Sequence, residues 1–287
     1  MKKLFVLSLL FLSLTTIRAQ GFYPGKKAAT MADVFHSHCC LLGKYRITGS
    51  MGMFYNKITY LDNDGATYTN FNRYGAHFNL TVKFHKEWQV RLMFLADMHT
   101  GPNKPHWLSN LYYAVGNYEW RNKHFFYGYE NYQPNRFDGS YNLLQNMKRG
   151  FFTVGYNYDL LGEKSPLKLD ATSQIRLIPF VRYQPEYTDR YGKKVMGHHK
   201  ITLGTSARYT VWHRFYVESA VYFYPDAASV LPWDPDYTYG FGYFDWHHFT
   251  VDFSYGNWVA NRFPWHTKEM KNDFSNGEFK LGLRFIW

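Results

Sequence analysis

The chain has 287 residues, of which 21% are aromatic, with a polar mean hydropathy of −0.45 and a formal net charge of +11. The polar mean excludes a helical membrane protein, which needs several long apolar spans, and the aromatic content excludes a disordered chain. Cys39 and Cys40 are the two cysteines, and their adjacency is poor geometry for a mutual bridge, so a disulfide scaffold is excluded too. The composition therefore indicates an aromatic-rich, all-β protein with a basic bias.

The N-terminus has the pattern of an export signal. Lys2 and Lys3 precede a short apolar stretch over 4–17, and Ala19 stands where a signal peptidase would cut. The apolar stretch is too short for a comfortable transmembrane helix, although an N-terminal membrane anchor is the alternative. We therefore expect a signal peptide over 1–19, followed by an N-terminal segment over 20–42 that is periplasmic or inserted into the lumen of the domain that follows.

Beyond residue 42 the apolar and polar residues alternate, which predicts strands. In the stretch from Trp88 to Ala96, every second side chain is apolar, and Gln89 and Arg91 fall on the opposite face. Twelve such strands are predicted, near 43–55, 71–84, 87–98, 108–121, 123–132, 150–159, 173–184, 198–211, 214–225, 236–246, 248–258 and 278–287.

The connections between these strands alternate in length. At one end of the sheet they are tight, near 85–86, 121–122, 212–213 and 247–248, with a longer exception at 160–172. At the other end most are long, over 56–70, 99–107, 133–149, 185–197, 226–235 and 259–277. Short turns opposite long loops are typical of outer-membrane barrels, and a sheet that spans lipid must close because each backbone polar group needs a partner there.

The last strand resembles the C-terminal signature of Gram-negative outer-membrane β-barrel proteins. It alternates apolar residues and closes on a terminal aromatic, Leu283-Arg284-Phe285-Ile286-Trp287. The resemblance implies that 43–287 forms a single transmembrane antiparallel β-barrel in the cell outer membrane, with outer-membrane lipid as a partner. It also implies that the barrel assembly machinery reads Phe285 and Trp287 as an assembly signal. A soluble secreted β-sandwich is the alternative, but its outward aromatic side chains would be costly in water.

An internal repeat is predicted to divide the barrel into two tandem six-stranded units. Residues 116–137 align with residues 242–263 at an offset of 126 without a gap, and seven of the 22 positions are identical. One residue of slippage later, the stretch from Gly150 aligns with the stretch from Gly277. Coincidence in an aromatic-biased sequence is the alternative explanation.

Both copies of the repeat carry the motif Tyr-x-Asn-x-x-x-Asn-Arg-Phe, which runs from a strand end into a surface loop. Asparagine and arginine can donate hydrogen bonds to a solute at a pore mouth. Alternatively, they cap the strand ends and fold the loops down. The candidate ligand-binding residues from this motif are Asn131, Asn135, Arg136, Asn257, Asn261 and Arg262.

If the aromatic face of the strands meets lipid, the opposite face lines a lumen. Charges that face lipid would cost about 2–4 kcal/mol each at the bilayer midplane, which fixes their direction. The lumen-lining basic residues are predicted to be Arg46, Arg73, Arg91, Arg176, Arg182, Arg208, Lys280 and Arg284. An excess of bases would attract anions, whereas charges that pair with one another would plug the barrel, and both interpretations stay open.

These features predict an outer-membrane channel or porin-like protein with a basic lumen, for anionic or oligosaccharide solutes. One alternative is an outer-membrane component of polysaccharide export or a surface interaction protein. Another is an outer-membrane lipid-modifying hydrolase of the phospholipase or lipid A deacylase type. No spacing assigns a nucleophile and a base, so no catalytic residue is named and an enzyme is less favoured. We expect no cofactor, no metal and no nucleic-acid partner.

Overall fold

The computed structural model describes residues 46–61, 67–84, 88–99, 106–117, 124–132, 146–161, 165–171, 173–188, 194–212, 215–243, 249–258, 261–265 and 273–286. The expected signal peptide and the segment 20–42 lie outside these ranges. The strands are β1 (Arg46–Leu61), β2 (Thr67–Lys83), β3 (Trp88–His99), β4 (His106–Asn117), β5 (His124–Asn131), β6 (Phe151–Asp159), β7 (Gln174–Thr188), β8 (Val195–Val211), β9 (Phe215–Phe223), β10 (Tyr237–Tyr243), β11 (Phe249–Asn257) and β12 (Glu278–Ile286). Single 3-10 turns follow β9 (Ala227–Ser229) and precede β12 (Phe274–Asn276). Within the described ranges, no helix is long and apolar enough to cross a membrane.

The strands form one closed antiparallel sheet. Each strand pairs with its neighbours in sequence, and β12 pairs with β1, with Gly52 opposite Gly282. Closure gives every strand two hydrogen-bonded neighbours and removes the sheet edges that lipid could not satisfy. The predicted single antiparallel barrel of twelve strands is confirmed.

The two faces of the wall differ in polarity. On β9, Phe215, Val217 and Val221 are exposed on the outer face, while Glu218 and Tyr222 alternate with them on the inner face. Leu281 on β12 is 59% exposed between inward Lys280 and Gly282. A continuous apolar exterior of this kind would be costly in water, whereas it matches the hydrocarbon of a bilayer.

Two predicted loops are wrong for most of their length. Within the loop expected over 185–197, β7 continues to Thr188 and β8 begins at Val195. The stretch 56–70 was expected to be a long connection, but β1 continues to Leu61 and β2 begins at Thr67. Its sequence is rich in threonine and tyrosine, which favour strands, and it lacks the clean apolar alternation that marks a membrane-spanning strand. The pattern therefore detects the part of a strand that faces lipid and misses its polar extension.

Aromatic rings also lie on the inner face, against glycines of adjacent strands. A Cβ atom at Gly75 would come within 2.5 Å of the Phe54 ring, and one at Gly204 would clash with the Phe180 ring. Only glycine allows this close approach of ring and backbone. Phe54 and Phe180 are buried on the inner face, so the inward side chains of the barrel are aromatic as well as polar.

Candidate functional site

The inner face of the barrel carries more basic than acidic side chains among the described residues. Strand register places these bases on it: Arg73, Lys83, Arg91, Arg176, Arg182, Lys200, Arg208, Lys280 and Arg284. The acids on the same face are Glu130, Asp159, Glu186, Glu218, Asp252 and Glu278. The backbone of predicted Arg46 lies in β1, but its side chain is outside the described set.

Ion pairs occupy the wall made by β8, β9, β11 and β12. Arg208 lies 3.7 Å from Glu218, and its guanidinium lies 3.8 Å from the centroid of the Tyr216 ring. Arg284 lies 3.4 Å from Asp252. These contacts neutralise part of the basic charge on this side of the lumen.

Ion pairing continues at the start of β12. Lys280 lies 2.6 Å from Glu278, two residues away on β12. Two further bases of the predicted set make contacts of another kind. The Arg73 guanidinium lies 4.9 Å from the centroid of the Phe54 ring, and Arg176 donates a hydrogen bond to Gln174 Oε1 at 3.0 Å. The inner charges are therefore held in place by specific partners.

Arg182 on β7 is held differently. Its guanidinium carbon lies 4.6 Å from the centroid of Phe180, 4.7 Å from that of Phe151 and 5.8 Å from that of Tyr222. It forms no ion pair with an acidic side chain in the described ranges, and its buried Nε has no hydrogen-bond partner there. Cation–π contacts fix the position of the group and leave its N–H donors available.

A cavity of about 180 Å³ lies beside Arg182 in the lumen. Its polar lining includes Thr153 and Asn157 of β6, which are 3% and 2% exposed, and Glu130 of β5, which is 7% exposed. Thr153 Oγ1 and both amide atoms of Asn157 have no hydrogen-bond partner among the described atoms. The apolar part of the lining is Phe126, Ile178, Phe180, Ala220 and Tyr222.

Sequence reasoning identified Arg91 and Arg182, which both line the cavity, but it missed Thr153 and Asn157 as site residues. A signal was present, because asparagine is depleted in strands and Asn157 stands within the alternating pattern of β6. A single unexpected asparagine does not, however, reveal the neighbouring strands that complete a cavity.

The first copy of the repeated motif forms a hydrogen-bonded cluster at the end of β5. Asn131 is fully buried, and its Nδ2 donates to the carbonyl of Asn146 at 2.8 Å and to the hydroxyls of Tyr113 and Tyr129 at 3.2 and 3.1 Å. The Tyr129 hydroxyl donates to the carbonyl of Met147 at 2.7 Å. By register these tyrosines lie on the outer face, so the cluster ties the segment before β6 to the outside of the barrel wall.

The second copy makes equivalent contacts at the end of β11. Asn257 Nδ2 donates to the Tyr239 hydroxyl at 3.1 Å and to the carbonyl of Asp273 at 2.9 Å, and the Tyr255 hydroxyl donates to the carbonyl of Phe274 at 2.7 Å. The contacts of Asn131 and Asn257 are those that strand-end capping predicts. A ligand-binding role for these residues stays a prediction.

The remaining motif residues link two surface loops. Asn261 Nδ2 donates to the carbonyl of Asn257 at 3.2 Å. Arg262 donates to Asp236 Oδ1 at 2.9 Å and to the carbonyl of Leu231 at 3.0 Å. This network joins the segment after β11 to the segment after β9. Of the other predicted motif residues, Asn135 and Arg136 lie outside the described ranges.

The predicted assembly signal lies at the seam where the barrel closes. Phe285 is buried, and its ring lies against Gly49 of β1, which pairs directly with it. Trp287 lies outside the described residues. Reading of this strand by the assembly machinery stays a prediction. As for metals, the described part of the chain holds no group of three or more His, Cys, Asp or Glu side chains suited to binding one.

Comparisons with known proteins find matches among solved structures. No protein-family model matches the sequence, and no curated protein matches it. Among solved structures, an outer membrane channel from Pseudomonas putida is similar at 10% identity and a TM-score of 0.38, with 85% of this chain and 96% of that chain covered. OmpF from Salmonella typhi is similar at 8% identity and a TM-score of 0.31, covering 84% and 97%. A FadL homologue from Pseudomonas aeruginosa has 10% identity, a TM-score of 0.29 and coverage of 84% and 87%.

The chain's own architecture defines its class. Its twelve-stranded sheet is closed, its exterior is apolar and its charged residues face inward. A closed barrel with these faces satisfies both the backbone and the side chains in lipid. The architecture of the protein is therefore that of a transmembrane β-barrel.

Proposed function

We propose that the protein is a passive outer-membrane channel whose basic lumen favours anionic or saccharide solutes. The observation that carries the proposal is the excess of bases over acids on the inner face. Charged side chains on that face have no role in contacting lipid, and a basic wall raises the local concentration of anions.

The ion pairs limit how strongly the lumen is expected to prefer anions. Arg208 and Arg284 each contact a carboxylate, so they contribute less field than their number suggests. Arg182 forms no ion pair among the described residues, and it lines the cavity together with Arg91 and Glu130. Because charges in a wet lumen are screened by salt, anion preference should be largest at low ionic strength.

Planar-bilayer recordings of the purified protein test the proposal. Under a potassium chloride gradient, we expect stepwise conductance and a reversal potential that indicates chloride preference, which weakens as the salt concentration is raised. Detergent without protein is the control. A barrel that stays closed at all voltages, or one that prefers potassium, would contradict the proposal.

The two alternative functions are separated by other measurements. A lipid-modifying hydrolase requires an altered lipid A or phospholipid profile when the gene is deleted, which mass spectrometry detects. An export component or surface interaction protein requires a change in surface glycan or in binding of a partner. An unchanged lipid profile together with solute conductance would leave the channel as the supported function.

A further inference from the structure

We propose that the Arg182 cavity is a binding site for one uncharged sugar ring on its passage through the lumen. The inference rests on the proposed channel function. It names the class of solute that the cavity would bind. It starts from a cavity in which the buried Thr153 and Asn157 have no hydrogen-bond partner among the described atoms, and whose charged groups, Arg91, Arg182 and Glu130, include both signs.

The hydrogen-bonding groups of the cavity match hydroxyls better than ions. Arg91 and Arg182 supply only donors, the Glu130 carboxylate only acceptors, and Asn157 and Thr153 supply both. A sugar hydroxyl both donates and accepts, so it can satisfy each of these groups in turn. An anion would meet the Glu130 carboxylate, and a cation would meet the Arg182 guanidinium.

These groups are placed to act on one ligand. Thr153 and Arg182 are direct partners across β6 and β7, which brings their Cβ atoms to about 5 Å. Asn157 lies four residues from Thr153 on the same face of β6. The volume of about 180 Å³ suits a six-membered ring, since a cavity of about 150 Å³ already holds benzene.

The apolar lining completes the chemistry of a sugar site. Phe126, Phe180 and Tyr222 face the cavity beside its polar groups. A pyranose has an apolar C–H face and a polar rim of hydroxyls, and aromatic side chains with a few placed polar groups are the usual lining of small-molecule sites. Thr153 Oγ1 and the Asn157 amide have no other partner among the described atoms, so hydroxyls of a bound sugar would supply their missing hydrogen bonds.

Saturation-transfer NMR and calorimetry on the full-length protein folded in detergent test the proposal. The probes are glucose, galactose and mannose, with glucuronate as the charged counterpart. We expect at least one neutral sugar to bind at millimolar concentration and more tightly than glucuronate. Absence of binding by all three sugars, or tighter binding of glucuronate, would overturn the sugar site.

Two matched variants assign the binding to this cavity. Thr153→Val and Thr202→Val both replace an inward threonine that is paired with Arg182, but only Thr153 lines the cavity. We expect Thr153→Val and Asn157→Leu to weaken sugar binding by about tenfold, as the loss of one or two hydrogen bonds implies, and Thr202→Val to leave it unchanged. Equal affinities in all three variants would refute the assignment.

The failures of the two proposals are distinguishable. Each variant is first checked for folding by its electrophoretic mobility before and after heating. Chloride-selective conductance without sugar binding would retain the channel and remove the sugar site. Sugar binding that depends on Asn157, without conductance, would retain the site and remove the channel.

Discussion

Replacement of Asn131 by alanine should destabilise the barrel substantially, although the residue lies outside the lumen. The side chain is fully buried and donates to one carbonyl and two tyrosine hydroxyls. Two amide hydrogens serve these acceptors, and each hydrogen bond contributes about 0.5–1.5 kcal/mol net. The carbonyl of Asn146 keeps a second donor, the backbone N–H of Arg149 at 3.0 Å, so it is not left unsatisfied. We therefore expect a loss of about 1–3 kcal/mol in the free energy of unfolding.

The second copy supplies an internal comparison. Asn257 donates to one carbonyl and one tyrosine hydroxyl and accepts from Asn261 Nδ2 at 3.2 Å, so Asn257→Ala should cost about as much, about 1–3 kcal/mol. Since β5 and β11 are six strands apart in a ring of twelve, the effects in the double variant should add to within about 0.5 kcal/mol.

Urea unfolding of protein refolded in lipid vesicles, followed by tryptophan fluorescence, measures these free energies. Asn72→Ala is the control, because Asn72 is an exposed asparagine that accepts a hydrogen bond from Tyr55 at 3.1 Å; its loss should cost less than about 1 kcal/mol. A cost for Asn131→Ala no greater than that of the control would refute the reasoning that the cluster fastens the loop to the wall. It would also reopen a ligand-facing role for the motif.

Three further predictions concern the lumen, the wall and a loop. At low salt, Arg182→Gln should lower the chloride-to-potassium permeability ratio about sixfold, because a unit charge about 8 Å away shifts each ion by ~0.5 kcal/mol in water; an unchanged reversal potential would contradict this. Gly204→Ala should cost about 1–3 kcal/mol by displacing the Phe180 ring, and urea unfolding should show that Phe180→Leu relieves much of this cost. Hydrogen bonds from Ser275 hold the pKa of Asp273 below its usual value, so the turn it caps is stabilised above the usual pKa and loses that support as pH falls through the lowered value. The protection factors of the amides at residues 274–276, which correct for the pH dependence of intrinsic exchange, should therefore fall at low pH and stay constant in Asp273→Asn.

The sequence predicts the barrel well because the bilayer imposes a simple rule on each strand. Along each strand every second side chain faces lipid and must be apolar. Strands such as β9 and β12 can therefore be recognised individually in the sequence. The rule says nothing about polar strand extensions such as that of β1, and it does not distinguish polar from aromatic residues on the inner face. Phe180 and Tyr222 face inward, where the Phe180 ring lies against Gly204 and both rings contact Arg182. These contacts can be recognised only when the register of the adjacent strands is known.

The candidate site is less predictable for the same reason. The alternation identifies Arg182 as inward, but the cavity combines residues from β3, β5, β6, β7, β8 and β9. Whether an inward arginine is paired depends on the strand next to it. Arg208 faces Glu218 across β8 and β9, whereas Arg182 faces Thr153 and Thr202. Register and loop contacts, rather than composition, decide which charges remain available to a solute.

The predicted repeat gives these differences a pattern. On the outer face, the aligned residues keep the same contacts, with Tyr129 and Tyr255 each donating to a loop carbonyl and each lying over a glycine. On the inner face, the aligned residues have diverged. Residues after Gly150 and Gly277 align with one residue of slippage, so Thr153 corresponds to Lys280.

The same alignment sets Asn157 of the cavity against Arg284, which pairs with Asp252. The cavity itself spans both predicted units, because β3, β5 and β6 supply one part of its lining and β7, β8 and β9 the other. The shared outer contacts fit a common demand, since both units must fasten their loops to a wall in the same lipid. The lumen imposes no such demand, and under the proposed function the polar groups of β6 would contact the solute, while the Arg284–Asp252 pair would contribute to the field through which the solute moves.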